Sequence, residues 1–362
     1  MKKAIIFVTI FALSVMTITP ALAQTNISTG LSQDTSGGAN PIVKAKWEMN
    51  NAKDANGKYL GIDDSDNAGA QFMPSGVKDV NKTITICAIA TDPDGLADVN
   101  NVYADVFYPE KIKLGDSHVA LANQSGEGCG ALMQEDALIR LSKADGIALF
   151  CSNIRNNNNN LPTFNTPYTY DEICKADGEL MKETAAVYCA EKDLSYEDPS
   201  GDYIVWAVAQ DKVGLQGLLK NSFTYLPLTA FETDFTAINY GNVRLNTHKS
   251  ISGDLIWGGL ASVRNIGNTR VAISVNQNDM GFGKTNGLWN VKYDARVGSD
   301  AAYANYNPDE TVVLDESLDL SELNEMDFSI DVSKFPPTHV GPYTGTMTLT
   351  GGAVDHLACI EE

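Results

Sequence analysis

The sequence is 362 residues long and sets 46 Asp and Glu against 26 Lys and Arg, a formal charge of −20 at neutral pH, with a mean hydropathy of −0.16. Hydrophobic residues make up 43% of it, enough for a packed core, which excludes a disordered chain, and the hydropathy excludes a bundle of membrane helices. So acidic a surface also repels nucleic acid, whose phosphates call for basic side chains, and suits divalent cations or basic partners instead.

In chain order, residues 1–23 read as a signal peptide. Lys2 and Lys3 make the basic start, residues 4–16 an apolar stretch shorter than the roughly 20 residues that span a bilayer, and Ala21-Leu22-Ala23 a cleavage site. The mature chain is expected to start at Gln24, to be secreted or to stand on the cell surface, and not to insert in the membrane. Residues 24–41, rich in Ser, Thr, Gly and Asn, read as a flexible leader. From Ile42 onward apolar residues alternate with polar ones between Gly, Asn, Asp and Pro turns. The clearest case is Met326, Phe328, Ile330 and Val332 against Asp327, Ser329 and Asp331, and Val271, Ile273 and Val275 repeat it. Strands with one wet and one buried face belong to antiparallel sheets, and two such sheets stack as a sandwich. The expected organisation is therefore mainly β, with a first domain over 42–229, a linker at 230–235, a second domain over 236–352 and a C-terminal tail at 353–362.

The exception lies at about 110–198. Residues 132–151 and 171–191 have helical spacing, the second with Ile173, Leu180, Met181, Thr184, Val187 and Tyr188 on one face. This segment holds Cys129, Cys151, Cys174 and Cys189, four of the six cysteines, and reads as a disulfide-stapled helical insertion in the first domain. An even cysteine count in an exported chain favours disulfides, and the absence of CxxC or CxxH spacings argues against zinc. Antiparallel helices bring Cys151 near Cys174 and Cys129 near Cys189. If Gly146 and Gly178 break the helices, Cys129–Cys151 with Cys174–Cys189 stays open. Cys87 and Cys359 are left without an assigned partner.

The stretches Lys82-Thr83-Ile84-Thr85-Ile86-Cys87-Ala88-Ile89-Ala90-Thr91-Asp92-Pro93-Asp94-Gly95 and Gly201-Asp202-Tyr203-Ile204-Val205-Trp206-Ala207-Val208-Ala209-Gln210-Asp211 both run from a strand into an Asp turn. They resemble repeats of prokaryotic immunoglobulin-like surface domains, including the PKD and cadherin-like groups. The resemblance covers about 40 residues of the first domain. No cysteine in the Tyr203 strand faces Cys87, so the inter-sheet disulfide of antibody domains is not expected. Residues 236–350, through Ala261-Ser262-Val263-Arg264-Asn265-Ile266-Gly267-Asn268 and Gly341-Pro342-Tyr343-Thr344-Gly345-Thr346, resemble immunoglobulin-like modules of archaeal and bacterial envelope proteins. The two resemblances imply two immunoglobulin-like β-sandwich domains.

In a sandwich of that type the second and sixth strands end at one tip, which sets the Asp92 loop beside the Asp211 loop. Asp92, Asp94, Asp98 and Asp211 are therefore candidate ligands for Ca²⁺, which takes six to eight oxygen donors; the competing role for Asp92 and Asp211 is to cap their turns. Asp54-Ala55-Asn56-Gly57 and Asp63-Asp64-Ser65-Asp66-Asn67 form a second acidic cluster, and neither cluster completes an EF-hand. Trp47, Trp206, Trp257 and Trp289 read as core aromatics on alternating strands. Asn26, Asn81 and Asn123 stand in glycosylation sequons. No nucleophile elbow, zincin helix or phosphate loop is present. These readings point to an exported, non-enzymatic structural protein, possessing Ca²⁺ as its one expected cofactor and partnered by its own copies or other envelope components. One route to a filament is pairing of the Ile42–Trp47 strand with a neighbour's edge, the alternative being that the strand pairs in its own domain with its lysines protecting the edge. An adhesin or a carbohydrate- or protein-binding module is the main rival, and a secreted hydrolase the third.

Overall fold

The computed structural model describes residues 38–62, 70–113, 128–337, 339 and 341–359. The signal peptide, most of the leader, the cluster at Asp63, Asp64 and Asp66, Asn26 and Asn123 lie outside the described residues. Strands in the first half are β1 Ile42–Asn50, β2 Gln71–Phe72, β3 Lys82–Thr91, β4 Val99–Phe107, β5 Ile112–Lys113, β6 Leu132–Ala137, β7 Ile139–Arg140, β8 Thr163–Phe164, β9 Ala185–Leu194, β10 Gly201–Asp211 and β11 Gln216–Tyr225. All of these but β5 form two five-stranded sheets, ordered β7-β9-β3-β1-β8 and β2-β11-β10-β4-β6. β1 is buried along both faces because one meets the second sheet, where Lys46 bonds to Asn221, and the other is roofed by a helical run at 143–157, whose Phe150 ring lies 5.1 Å from that of Trp47.

The segment at 110–198 is thus not the helical satellite expected from its periodicity. Residues 132–137 form a strand, 143–157 a helical run with a π-helical centre, and 170–174 and 179–182 short helices. Glu183, in the left-handed conformation at φ 58°, ends the last of these, and β9 follows as a full member of the first sheet, paired with β3 from Lys82↔Leu194 to Thr91↔Ala185. Over Ala185–Cys189 β9 is buried on both faces, and a stretch buried on both faces loses the period of two that would reveal it; only Glu191 and Asp193 in its second half are exposed. β1 pairs within its own half, with β3 along one edge over Ile42–Asn50 and with β8 on the other edge at Ala45 and Lys46, and its Lys46 is buried in an ion pair with Glu48 rather than shielding an edge.

The second half contains β12 Phe231–Thr233, β13 Lys249–Ile251, β14 Ser262–Asn265, β15 Arg270–Gln277, β16 Lys284–Thr285, β17 Leu288–Trp289, β18 Val291–Val297, β19 Ala304–Tyr306, β20 Thr311–Leu318, β21 Leu323–Val332, β22 Met347–Val354 and β23 Leu357–Ala358. A sheet through β12, β14, β21, β18 and β19 and another of β20, β15 and β22 share a second core of Val263, Ile273, Val291, Tyr293, Phe328 and Ile330. Here the alternation is literal: β15 buries every second residue. The expected linker at 230–235 instead supplies β12, which pairs with β14. The tail does not trail away, since β23 pairs with β5 of the first half. Leu320 is buried in the first core, and the Asn268 amide is clamped between the Leu226 carbonyl and the Leu228 N–H at 2.9 and 2.7 Å.

All six cysteines are bonded. Cys151 joins Cys174, Cys87 joins Cys189 directly across β3 and β9, and Cys129 joins Cys359. The expected Cys129–Cys189 bond is not formed, because Cys189 belongs to a strand inside the sheet and not to a second helix. The Cys129–Cys359 bond spans 230 residues and ties the tail to the first half. Thiol titration of the unfolded, unreduced protein is expected to find no free cysteine, and two or more would contradict this pairing.

Candidate metal centre

Asp92 leaves the end of β3, Asp98 precedes β4, and Asp211 is the last residue of β10. Because β4 and β10 pair with Asp211 opposite Val99, and β3 ends in the facing sheet, the three residues meet at one tip of the first half. One carboxylate oxygen from each lies within 4.8 Å of the others. Asp92 and Asp211 are 4% and 1% exposed, and Asp98 is half-buried.

Each buried carboxylate has one oxygen employed and one free. Asp92 Oδ1 accepts the Asp94 N–H at 2.8 Å, while Asp211 Oδ1 accepts the N–H groups of Val213 and Leu215 at 3.0 and 2.7 Å. These are turn-capping bonds, and the turns they hold need the left-handed backbone of Gly95 (φ 119°) and Gly214 (φ 92°). Lys212 N–H donates to the Asp98 carbonyl at 3.1 Å and locks the two loops together. The second oxygens, Asp92 Oδ2 and Asp211 Oδ2, are shut off from solvent without a hydrogen-bond partner. Turn capping accounts for half of each carboxylate and leaves the other half unexplained, although a buried acceptor without a partner costs about 1–3 kcal/mol, and more when charged. The Asp92 carboxyl is held above its ordinary range, first by burial and then by the charges of Asp98, Asp94 and Asp211, partly offset by the Asp94 N–H.

Hard carboxylate oxygens without a basic partner form a donor set for a divalent cation, and Ca–O bonds of about 2.3–2.6 Å let two ligands of one ion stand up to about 5 Å apart. The spacing of the triad fits that reach. Asp94, the fourth residue singled out in the sequence, is not in the triad: its Oδ2 accepts the Ala39 N–H at 2.7 Å and pins Ala39 to the same tip. Sequence reasoning missed this contact, which no motif signals.

The aromatic residues divide differently from the sequence reading. Only Trp47 is fully buried among the four; Trp206 and Trp257 are exposed, and Trp289 is half-buried beneath the Lys284 ammonium. Asn81 is exposed at the start of β3.

No protein-family model matches the sequence, and no curated protein matches it. Similar solved structures include the C-terminal domain of AspA, an antigen I/II-family protein of Streptococcus pyogenes, at 11% identity over 89% of this chain and 98% of that one, with a TM-score of 0.22. The CupB6 tip adhesin of Pseudomonas aeruginosa is similar at 10% identity over 86% and 94%, with a TM-score of 0.22. A structure of carbohydrate-binding modules from the β-sandwich superfamily is similar at 10% identity over 78% and 94%, with a TM-score of 0.18.

Proposed function

We propose that the chain is an exported, non-catalytic structural protein of the cell surface, built as two immunoglobulin-like sandwiches, with a Ca²⁺ ion fixing the tip of the first. The observation that carries the calcium reading is the pair of buried, unpartnered oxygens of Asp92 and Asp211 beside the Asp98 carboxylate. With two of its three carboxylates buried, the ion ties turns together instead of meeting a substrate. Export is supported by the pairing of all six cysteines, since such bonds persist in oxidising compartments. An immunoglobulin-like first sandwich is supported by Tyr203, whose hydroxyl donates to the Pro199 carbonyl at 2.8 Å, the type of corner contact such sandwiches use.

Copies of a chain with charge −20 repel one another until salt or divalent cations screen them. Light scattering of the purified protein is expected to show the particle mass rising with Ca²⁺ or salt. A constant monomer under all these conditions would remove self-assembly from the reading and favour adhesion to a different partner, for which the exposed Trp206 is the supporting observation.

A further inference from the structure

The outer face of the β2-β11-β10-β4-β6 sheet is not a plain polar surface. Alternation along β10 turns Tyr203, Val205 and Ala207 into the core and leaves Trp206 outward, 37% exposed. The strand register sets Trp206 between Lys220 on β11 and Asp105 on β4, and Asp105 directly opposite Glu135 on β6. The Trp206 ring packs against Phe107 with centroids 5.1 Å apart, and Tyr103, on the other side of Asp105 along β4, is steadied by a 3.1 Å bond from Gln216 Nε2 to its hydroxyl. Asp105 therefore stands within a frame of three aromatic side chains.

The charge on this face is unbalanced. Asp105 Oδ1 is enclosed without a hydrogen-bond partner, and among the described residues no ion pair reaches Asp105 or Glu135. Like charges directly opposed across a ladder destabilise it, so the arrangement costs the isolated fold something. Burial, and after it the Glu135 charge, holds the Asp105 carboxyl above its ordinary range. A cation would relieve both, since aromatic faces and carboxylates each attract one. In the strand register Lys220 stands on the far side of Trp206 from Asp105, so the carboxylate side of the ring is the one open to a cation.

We propose that this sheet face is a docking surface for a basic protein partner, engaged by a lysine or arginine side chain laid over Trp206 with its charged end at Asp105 and Glu135. Charge complementarity commits the face to such a partner: two uncompensated carboxylates lie at its centre, and the −20 charge of the chain steers basic molecules toward it. Exposed Leu132 and Leu218 at the margins extend the apolar surface beyond the footprint of one side chain, as a protein contact needs. A partly exposed Trp at the middle is the residue type that dominates such contacts. The site shares no residue with the Asp92, Asp98 and Asp211 cluster, so the two proposals fail or stand separately.

The test titrates the full chain with a twelve-residue peptide bearing arginine at every third position and with its counterpart bearing uncharged citrulline there, at physiological salt. The readout is the indole N–H resonance of Trp206, assigned by its loss in Trp206→Phe. The arginine peptide is expected to move this resonance and to bind at least tenfold more tightly than the citrulline peptide. Asp105→Asn, which removes an unpartnered charge, is expected to keep the circular dichroism of the wild type and to weaken binding at least fivefold. Asp171→Asn, an exposed carboxylate elsewhere, is expected to leave it unchanged. Equal binding of the two peptides, arginine binding that leaves the Trp206 resonance unmoved, or full affinity in Asp105→Asn would overturn the proposal. So would a neutral oligosaccharide that moves the resonance where the arginine peptide does not, which would make the face a glycan platform.

Discussion

Lys46→Met is expected to destabilise the protein by about 3–5 kcal/mol, the usual cost of removing one partner from a buried ion pair. Lys46 is fully buried between the two sheets of the first half, where its ammonium meets Glu48 Oε1 and Asn221 Oδ1, and Asn221 Nδ2 in turn donates to Glu48 Oε2 at 2.7 Å. Burial pulls the Lys46 pKa down, and the charge of Glu48 and its hydrogen bond oppose that pull. Without Lys46, the Glu48 carboxylate keeps only one amide donor in a dry interior, and that uncompensated charge is the source of the loss. Lys46→Met with Glu48→Gln keeps the bond from Asn221 and removes both charges, so it is expected to recover most of the stability. Urea unfolding of the two variants checks this: a double variant as unstable as the single one would trace the loss to packing around the lysine stem and not to charge.

Millimolar Ca²⁺ is expected to raise the melting temperature by several degrees over an EDTA-treated sample at neutral pH, since an ion bound only by the folded state adds about 2.7 kcal/mol at a hundredfold excess over its dissociation constant. The pH dependence follows from Asp92. Its folded pKa lies above its unfolded one, so the folded state holds the extra proton, and without the cation this group's contribution to stability falls as pH rises from the ordinary Asp value through the raised folded value. Ca²⁺ takes the place of that proton. The calcium increment in melting temperature is therefore expected to be large at neutral pH and to shrink as pH falls through the raised Asp92 pKa, where protons compete for the same oxygens. Calorimetric scans with Ca²⁺ and with EDTA at neutral and acidic pH read this directly. An increment independent of pH would assign the effect to other carboxylates.

The sheets of the second half were legible in the sequence because apolar and polar residues alternate along β15 and β21; β15 buries every second residue, while in β21 Asp327 and Ser329 on the polar side are buried as well. The first half was harder because β1 and the Ala185–Cys189 part of β9 are covered on both faces, and the Ala185-Ala186-Val187-Tyr188 run reads as well for a helix as for a strand. The convergence of Asp92 and Asp211 was visible through the turn chemistry and the implied strand order, because Asp followed by Gly at a strand end signals a turn. Which oxygen of each carboxylate caps the turn and which stays free depends on side-chain direction alone. The partner of Cys359 was out of reach because the contact is set by the return of the tail to β5, across 230 residues. Trp206 was misread although its parity was on view: it stands out of phase with Tyr203, Val205 and Ala207, which are buried.

The calcium site is tested most directly by equilibrium dialysis of the EDTA-stripped protein against radiolabelled calcium, beside Asp92→Asn/Asp211→Asn, in which both turns keep an acceptor at Oδ1. One ion bound per wild-type chain and none at this site in the double variant is the expected result. A wild-type chain that retains no calcium at millimolar concentration, or a double variant that binds as the wild type does, would contradict it and leave Asp92 and Asp211 as turn caps alone.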